Sequence, residues 1–177
     1  MIDVRIAHTS ALDHEALTTI RAFLADAFDG DFDDADWDHT LGGVHALVRG
    51  GDGLVAHGAV VQRRLLHGGR ALRAGYVEGV AVRADRRRRG YGTAVMRALD
   101  DVIRAAYDVG GLSASEEPAR LYRSLGWTRW RGRTFVLGPK GIERTADEDE
   151  TTYVLRVSTE LDLAGDLVCD WRDGDVW

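Results

Sequence analysis

The chain has 177 residues, of which 45% are hydrophobic and 29% charged, and this is the composition of a folded protein. Its formal net charge of -6 argues against general binding of nucleic acid, because phosphate backbones need a basic face. No apolar run reaches the roughly 20 residues of a membrane span, and the N-terminus lacks a signal peptide's features. We therefore expect one domain over residues 1–177, located in the cytoplasm, with neither a membrane nor a nucleic-acid partner.

Hydrophobic periodicity and turn residues predict the elements of the fold. In chain order these are a strand at 2–6, a helix capped by Asp13 and stopped by Gly30, a loop or short helix at 31–39, a hairpin of strands 45–48 and 54–61, a strand at 72–82 interrupted by Gly79, a helix at 92–107 ended by Gly110-Gly111, a short strand at 112–114, a helix at 116–125, and strands at 134–137 and 152–157. This order predicts a mixed α/β fold with a central sheet, antiparallel at first and parallel where helices cross over.

Charged residues are unevenly distributed along the chain. Basic residues crowd between Arg83 and Arg89, whereas acidic residues crowd at 29–38, 147–150 and 170–175. Such a division predicts two ligands of opposite charge. A single cysteine, and six histidines without metal-ligand spacing, predict no disulfide and no metal site, so we expect the histidines to be structural or on the surface.

A glycine-containing turn follows the interrupted strand, with the pattern Arg87-x-x-Gly90-x-Gly92 before a helix. Such a turn can aim several backbone N–H groups at one point, and the positive end of the helix favours an anion there. The pattern is neither a Walker loop, which needs Gly-Lys-Ser/Thr, nor a Rossmann fingerprint, which needs a third glycine. It predicts a pyrophosphate-binding turn.

This turn resembles the signature of the GNAT acetyltransferase superfamily, and a closer resemblance to the aminoglycoside 2'-N-acetyltransferases extends over nearly the whole chain. The segments that carry the closer resemblance are 30–32, 36–43, 75–85 and 169–177. The resemblance implies a GNAT fold, α/β or α+β, in which helices flank a mixed central sheet with a splayed strand pair. It also implies transfer of the acetyl group of acetyl-CoA to the 2'-amine of an aminoglycoside, which inactivates the antibiotic.

Acetyl-CoA is the expected co-substrate, and the resemblance assigns its binding to the bulged strand and the glycine turn. The implied cofactor-binding residues are Val80, Ala81, Val82, Arg87, Arg88, Arg89, Gly90, Tyr91, Gly92 and Thr93. A bulge at Gly79 would open a slot in which the pantetheine arm completes the hydrogen bonding of the strand. The N–H of Val80 would then stabilise the oxyanion formed from the thioester.

Catalysis requires a neutral amine, which at pH 7 must be produced from an ammonium group. By resemblance Glu78 is the base that removes the proton, through water, and Tyr122 is the acid that protonates the departing thiolate. From the residues alone, Glu78 could instead form a salt bridge on the sheet, and Tyr122 could be a residue at the edge of the core.

The acidic segments suit a polycationic acceptor. By resemblance the substrate-binding residues are Asp31, Asp36, Glu78, Gly79, Ser113, Asp147, Glu148, Asp175 and Trp177, the last through its carboxylate. At Glu148 the family pattern has aspartate. Three alternatives stay open. The basic turn could be a solvated surface turn without a ligand, or the acceptor could be another cationic amine such as a polyamine, a cell-wall sugar or a protein N-terminus. The chain could also be a module that binds CoA or an aminoglycoside without catalysing a reaction. A homodimer is expected, as is frequent in the superfamily.

Overall fold

The computed structural model describes residues 2–177, which form ten strands and four α-helices. Their bounds are β1 (Arg5–His8), α1 (His14–Ala27), α2 (Asp34–His39), β2 (Val44–Gly50), β3 (Gly53–His67), β4 (Arg70–Val82), α3 (Tyr91–Ala106), β5 (Val109–Ser113), α4 (Glu116–Ser124), β6 (Thr128–Arg129), β7 (Thr134–Gly138), β8 (Gly141–Arg144), β9 (Thr152–Arg156) and β10 (Leu167–Asp170). Within this described part of the chain, no helix combines the length and the apolar character needed to cross a bilayer.

Residue contacts divide the chain into two compact units. Unit 1 comprises the described residues up to Val61 together with Val77–Val102, and unit 2 comprises Gln62–Tyr76 together with Ile103–Trp177. The expectation of a single domain over residues 1–177 stays a prediction.

Unit 1 holds an antiparallel arrangement in which β1 pairs with β2 and β2 pairs with the first part of β3. The side chain of Asp13 accepts a hydrogen bond from the N–H of Ala16 at 2.8 Å, so α1 begins where its cap residue predicts. Ile20 and Leu24 of α1 are fully buried in a core cluster with Leu47 and Leu54. Trp37 packs against the same cluster and is therefore a packing residue.

Unit 2 holds the mixed part of the sheet. β4 pairs in parallel with β5, and β9 pairs antiparallel with both β5 and β6. On the other side β3 pairs antiparallel with β10, β10 pairs in parallel with β7, and β7 forms a hairpin with β8. The parallel ladder of β4 joins Ala74–Tyr76 to Val109–Gly111, and β4 continues to Val82. The prediction of a mixed sheet with a splayed strand pair is thereby confirmed.

One predicted boundary is wrong. Gly110 and Gly111 were expected to end the helix before them, but α3 ends at Ala106 and both glycines lie inside β5. A Cβ atom on Gly110 would lie 2.8 Å from the ring of Trp127, and one on Gly111 would lie 2.8 Å from the ring of Tyr76. The glycines therefore allow two aromatic rings to approach the strand, and they do not stop a helix.

The other differences concern strand positions. The first strand lies at Arg5–His8 instead of 2–6, and β3 extends to His67. The strands β6, β8 and β10 were not predicted, because they have two to four residues each and so show too little alternation to detect.

Candidate active site

Gly79 sits in β4 with a φ angle of +55°, in the left-handed region that an ordinary residue rarely adopts. A Cβ atom there would lie 3.0 Å from Cγ2 of Thr40 and 3.4 Å from Cδ1 of Leu24, so space as well as backbone conformation favours glycine. β4 runs continuously through Gly79 from Arg70 to Val82, so this glycine distorts the strand locally and does not divide it; a bulge here stays a prediction. Glu78 and Val80, its chain neighbours, are both partly exposed.

The predicted pyrophosphate turn combines two left-handed residues with a helix start. Arg88 has a φ angle of +59° and Gly90 one of +85°. The N–H of Ala94 donates to the carbonyl of Gly90 at 2.9 Å, which begins the hydrogen bonding at this end of α3. Helix bonding thus leaves the N–H groups of residues 91–93 for other acceptors. The turn has the donors and the dipole that an anionic group needs.

The basic cluster beside this turn divides into two sets. Arg83 is bound to Asp52 at 2.6 Å and to Asp85 at 2.7 Å, and Arg86 is bound to the same two carboxylates. Hydrogen bonds from Arg83 lower the pKa of both carboxyl groups, and those carboxylates raise the pKa of Arg83. Residues 87–89 are exposed beside the turn. The arginines assigned to the cofactor are therefore distinct from the two that join the strand end to a hairpin.

A buried chain of hydrogen bonds runs through unit 1 to Gly79. Nε2 of His45 lies 2.8 Å from Oγ1 of Thr9, and Nδ1 of His45 lies 3.0 Å from Nε2 of His57. Nδ1 of His57 lies 2.7 Å from the carbonyl oxygen of Gly79. Both imidazoles have no exposed surface, and burial lowers the pKa of His45 to about 4 and that of His57 to about 3. Both rings are neutral at physiological pH.

Two of the predicted substrate carboxylates lie near α2, and one of them has a local structural role. Asp36 accepts the N–H of Asp33 at 3.0 Å, and Asp33 accepts the N–H of Asp36 at 2.9 Å. This reciprocal pair is a capping box, and it fixes the start of the six-residue helix. Asp31 precedes the box and is exposed. One oxygen of Asp36 is therefore engaged in the cap.

In unit 2 the structure brings together two predicted substrate residues. Oγ of Ser113, at the end of β5, donates to Oε2 of Glu148 at 3.2 Å. The same carboxylate oxygen accepts the hydroxyl of Thr151 at 2.6 Å. Asp147, next to Glu148, is exposed. Glu148 is thus held by two hydroxyl groups.

Asp149 belongs to the same acidic run but has a different environment. Its side chain accepts the N–H of Thr134 at 2.9 Å and the hydroxyl of Thr134 at 3.0 Å, and it forms an ion pair with Arg144. The hydrogen bond from Arg144, the first of several causes, lowers the pKa of Asp149 to about 2. This carboxylate therefore stabilises the loop and is not available to a ligand.

Tyr122 lies on α4 and is only 6% exposed. Its ring lies 6.5 Å from that of Trp127 and 6.4 Å from that of Tyr153, measured between centroids. Burial raises the pKa of its hydroxyl to about 12, so the group stays protonated at neutral pH. The ring of Tyr122 is therefore packed in the core, and the role of its hydroxyl as the acid stays a prediction.

The C-terminal segment, residues 171–177, is folded back by hydrogen bonds of its own. Nη2 of Arg172 donates to the terminal residue's O atom on Trp177 at 2.9 Å, and its Nε donates to the carbonyl of Asp175 at 2.7 Å. The indole of Trp177 is 3% exposed and donates to Oγ1 of Thr145 at 2.9 Å. Asp175 and Trp177, both predicted to bind substrate, therefore form one compact turn.

Arg63 is the anchor that sequence analysis missed. It is 4% exposed on β3, and it donates to the side chain and carbonyl of Asp170 at 2.8 Å and to the carbonyl of Val176 at 2.7 Å. Its partners lie 107 and 113 residues away along the chain, so no local spacing could have indicated the pairing. Arg63 fixes the C-terminal segment to the sheet of unit 2.

Metal-binding and reactive-thiol chemistry find no support among the residues described. Residues 2–177 contain no group of three or more histidine, cysteine, aspartate or glutamate side chains that could hold a metal ion. Cys169 is fully buried, and burial raises the pKa of its thiol to about 11. The thiol is therefore not a nucleophile at neutral pH.

Comparison with known proteins identifies the class to which this chain belongs. Residues 9–130 match the family model described as an acetyltransferase (GNAT) domain. The chain belongs to the GNAT acetyltransferase family, whose members use acetyl-CoA as the acetyl donor.

Three individual proteins show which members of the family this chain resembles in sequence or in structure. The chain is 52% identical over 177 residues to the aminoglycoside 2'-N-acetyltransferase of Mycolicibacterium fortuitum. The alignment covers 98% of this chain and 91% of that protein. A GNAT family acetyltransferase from Brucella melitensis, solved in complex with acetyl-CoA, matches this chain with a TM-score of 0.60 and 16% identity. The match covers 94% of this chain and 96% of that protein. A GCN5-related N-acetyltransferase from Kribbella flavida matches with a TM-score of 0.57 and 22% identity. The matched region covers 74% of this chain but only 35% of the protein from Kribbella flavida. The two structural matches support the fold.

Proposed function

We propose that this protein transfers the acetyl group of acetyl-CoA to the 2'-amine of aminoglycosides. The observation that carries the proposal is the 52% identity, over 98% of the chain, with an aminoglycoside 2'-N-acetyltransferase. Acetylation removes a positive charge from the drug, which is the proposed basis of resistance.

The donor side of the proposal uses unit 1. We assign the pantetheine arm to the backbone of residues 80–82 and the pyrophosphate to residues 87–93. Two left-handed residues and the N–H groups of residues 91–93 support this assignment, because they give the turn the character of an anion-binding cradle. The exposed arginines at 87–89 add positive charge beside it.

Acetyl-CoA supplies an activated thioester, and the residues of this chain supply its electrostatic stabilisation and proton transfer. We assign oxyanion stabilisation to the N–H of Val80, next to the left-handed Gly79, and removal of the amine proton to Glu78, through water. A positioned base of this kind contributes about 10²- to 10⁴-fold in rate. No activated nucleophile occurs among the described residues, since the buried Cys169 thiol stays protonated, so we propose direct attack by the amine.

We assign protonation of the departing thiolate to Tyr122. Its buried hydroxyl is protonated at neutral pH, as a proton donor must be. A pKa of about 12 makes the phenol a weak acid, so it is better suited to donate a hydrogen bond to the thiolate than to transfer its proton completely. Its contribution to the rate should therefore lie toward the lower end of the range for general acids and bases.

The acceptor side of the proposal uses carboxylates and hydroxyls. Its members are Asp31, Asp36, Glu78, Gly79, Ser113, Asp147, Glu148, Asp175 and Trp177. The contact between Ser113 and Glu148 supports their joint assignment, because a hydroxyl that donates to the carboxylate keeps its own acceptor lone pairs for an ammonium group. A homodimer and a cytoplasmic location stay predictions, the first to be checked by light scattering.

The test measures thiol release from acetyl-CoA with matched aminoglycosides that have a 2'-amine or a 2'-hydroxyl. We expect turnover with the amines and product mass increased by one acetyl group at that position. Equal turnover of both series, or acetylation at another amine, would contradict the assignment of the acceptor position. Binding of the drug without thiol release would favour a sequestering module.

A further inference from the structure

The two buried histidines of unit 1 form a chain whose direction can be deduced. A backbone carbonyl oxygen only accepts hydrogen bonds, so the 2.7 Å contact with Gly79 requires a proton on Nδ1 of His57. A neutral imidazole carries one proton, and Nε2 of His57 is therefore an acceptor. The 3.0 Å contact then requires a proton on Nδ1 of His45.

The same reasoning fixes the other end of the chain. With Nδ1 of His45 protonated, its Nε2 is an acceptor, and the hydroxyl of Thr9 donates to it at 2.8 Å. Oγ1 of Thr9 in turn accepts the N–H of Gly42 at 3.0 Å. Oγ1 of Thr9 also lies 3.3 Å from the carbonyl oxygen of Gly43, but its 2.8 Å contact with Nε2 of His45 is the shorter one. With the Thr9 proton directed to His45, each ring nitrogen has a partner and the bonds from Thr9 through the two rings point toward Gly79. The two rings share the tautomer with hydrogen on Nδ1.

This direction matters because of the peptide group on which the chain ends. The peptide bond between Gly79 and Val80 is planar and trans, so its C=O and its N–H point in opposite directions. A hydrogen bond that holds the Gly79 oxygen toward His57 therefore turns the Val80 N–H away from the buried histidines. Gly79 is also left-handed, a conformation that needs a tertiary contact to select it from the alternatives open to glycine.

We propose that His57, supported by His45 and Thr9, is a positioning residue for acetyl transfer that orients the Gly79–Val80 peptide so that the Val80 N–H can stabilise the oxyanion. The inference rests on the proposed role of Val80 and adds a second layer to it. His57 contacts no reacting atom, and it acts through the peptide whose carbonyl it holds. Neutral imidazoles suit the role, since they can supply one directed donor each without placing a charge in the core.

The first test examines the tautomers directly in the unaltered protein. With ¹⁵N-labelled histidine, long-range proton–nitrogen correlation spectra distinguish a protonated Nδ1 from a protonated Nε2. We expect His45 and His57 to show the Nδ1–H tautomer, which is the minor form of free histidine in water, with no change between pH 7 and pH 5. The Nε2–H tautomer at His57 would overturn the proposal, because its Nδ1 could not then donate to Gly79.

The second test compares His57→Asn with His57→Leu. The amide nitrogen of asparagine is attached to Cγ, as Nδ1 is, and can retain the donor to Gly79, whereas leucine fills the space without a donor. For leucine we expect kcat to fall by about tenfold to a hundredfold, because misplacement of a reacting group by an ångström costs about that much. The KM for the amine and the Kd for acetyl-CoA should stay within about twofold. The asparagine variant should keep kcat within about threefold of the parent.

Equal kcat values for the two variants, or a loss confined to KM, would show that His57 does not act through the peptide. If the leucine variant does not fold, the tautomer measurement and the asparagine variant still test the role of His57. A loss of kcat in an asparagine variant that folds and still binds acetyl-CoA would contradict the proposal. Failure of the proposed function is distinguishable. It would appear as no acetylation of aminoglycosides by the unaltered protein, while the tautomers would keep their expected state.

Discussion

The two units carry different kinds of functional group. In unit 1 most of the proposed donor-side groups are backbone atoms, namely those of residues 80–82 and the N–H groups of residues 91–93, set by left-handed glycines and by a buried neutral histidine chain. In unit 2 the proposed groups are side chains, such as Ser113, Glu148 and Tyr122. Unit 1 also contributes the side chains of Glu78, of the two aspartates near α2 and of the exposed arginines at 87–89.

The difference shows why the two sets respond differently to substitution. A backbone donor has no side chain to remove, so its position depends on the conformation of its neighbours and on what holds their carbonyls. A side-chain carboxylate can be removed singly, but several carboxylates here already have structural partners, as the capping box of Asp36 and the ion pair of Asp149 show. Changes of conformation should therefore be most damaging in unit 1, and single changes of charge most informative in unit 2.

The largest effect is expected for Gly79→Ala. A methyl group would strain the +55° backbone and press on Thr40, and the Val80 N–H would shift; loss of one oxyanion donor costs about 10²- to 10³-fold in kcat. The matched control is Gly68→Ala in unit 2, where φ is +57° and a Cβ meets open space. Similar kcat losses in both variants would attribute the effect to general strain and would break the contrast between the units.

Glu78→Gln should come next, with a loss of about 10²-fold in kcat near neutral pH. The loss should grow as the pH falls, because more of the amine is then protonated and the base is needed more. The pH dependence of kcat/KM in parent and variant provides the measurement, with acetyl-CoA binding as the control for folding. If the variant kept the parent's pH profile, Glu78 would not be the base.

In unit 2 the neighbouring acids Glu148 and Asp149 form a matched pair for substitution. Glu148→Gln should raise the KM for the aminoglycoside by roughly fivefold to tenfold, as for loss of one charged contact, with little effect on the melting temperature. Asp149→Asn should lower the melting temperature and leave that KM nearly unchanged, because its partners are Arg144 and Thr134. The reverse pattern would exchange the assigned roles of the two acids.

The smallest expected effect is on the free energy of unfolding, which should change little at neutral pH and more as the pH falls. Unfolded histidines take up protons near pH 6.5, whereas His45 and His57 in the folded protein stay neutral to about pH 4 and 3, with His8 nearby lowering the first further. Protonation of the unfolded state alone means that stability contributed by unit 1 falls as the pH drops from about 6.5 toward 4. Asp149, with its lowered pKa, instead loses its contribution between its ordinary value of 3.8 and about 2.

Hydrogen exchange at pH 7, 5 and 3 can check this order residue by residue. Amides around His45 and His57 should lose protection before those around Asp149 and Thr134. A control variant, His67→Gln, changes a histidine of unit 2 that is partly exposed and should leave the order intact. Simultaneous loss of protection in both regions at pH 5 would show that the histidine chain does not set the acid sensitivity of unit 1.

Much of the fold was predictable because it depends on local patterns. Asp13 caps α1 by accepting the N–H of Ala16, the glycines at 50–53 form the β2–β3 connection, and Gly79 takes a left-handed conformation within β4. Each of these features lies within a few residues of its signal. The short strands and the glycines of β5 were not predictable, since their conformation depends on partners such as Trp127 and Tyr76 that local spacing does not reveal.

By itself, the sequence predicted the turn before α3 from its glycines and charges and a mixed sheet from the order of its elements, because these signals act over short distances along the chain. The family followed from the resemblance to known acetyltransferases. Only the tertiary structure decided which arginines are neutralised by Asp52 and Asp85, which acid of 147–150 is structural, and which residue fixes the C-terminal segment. It also decided that His45 and His57 lie in line with Gly79. These depend on contacts between residues tens of positions apart, and folding alone brings such residues together.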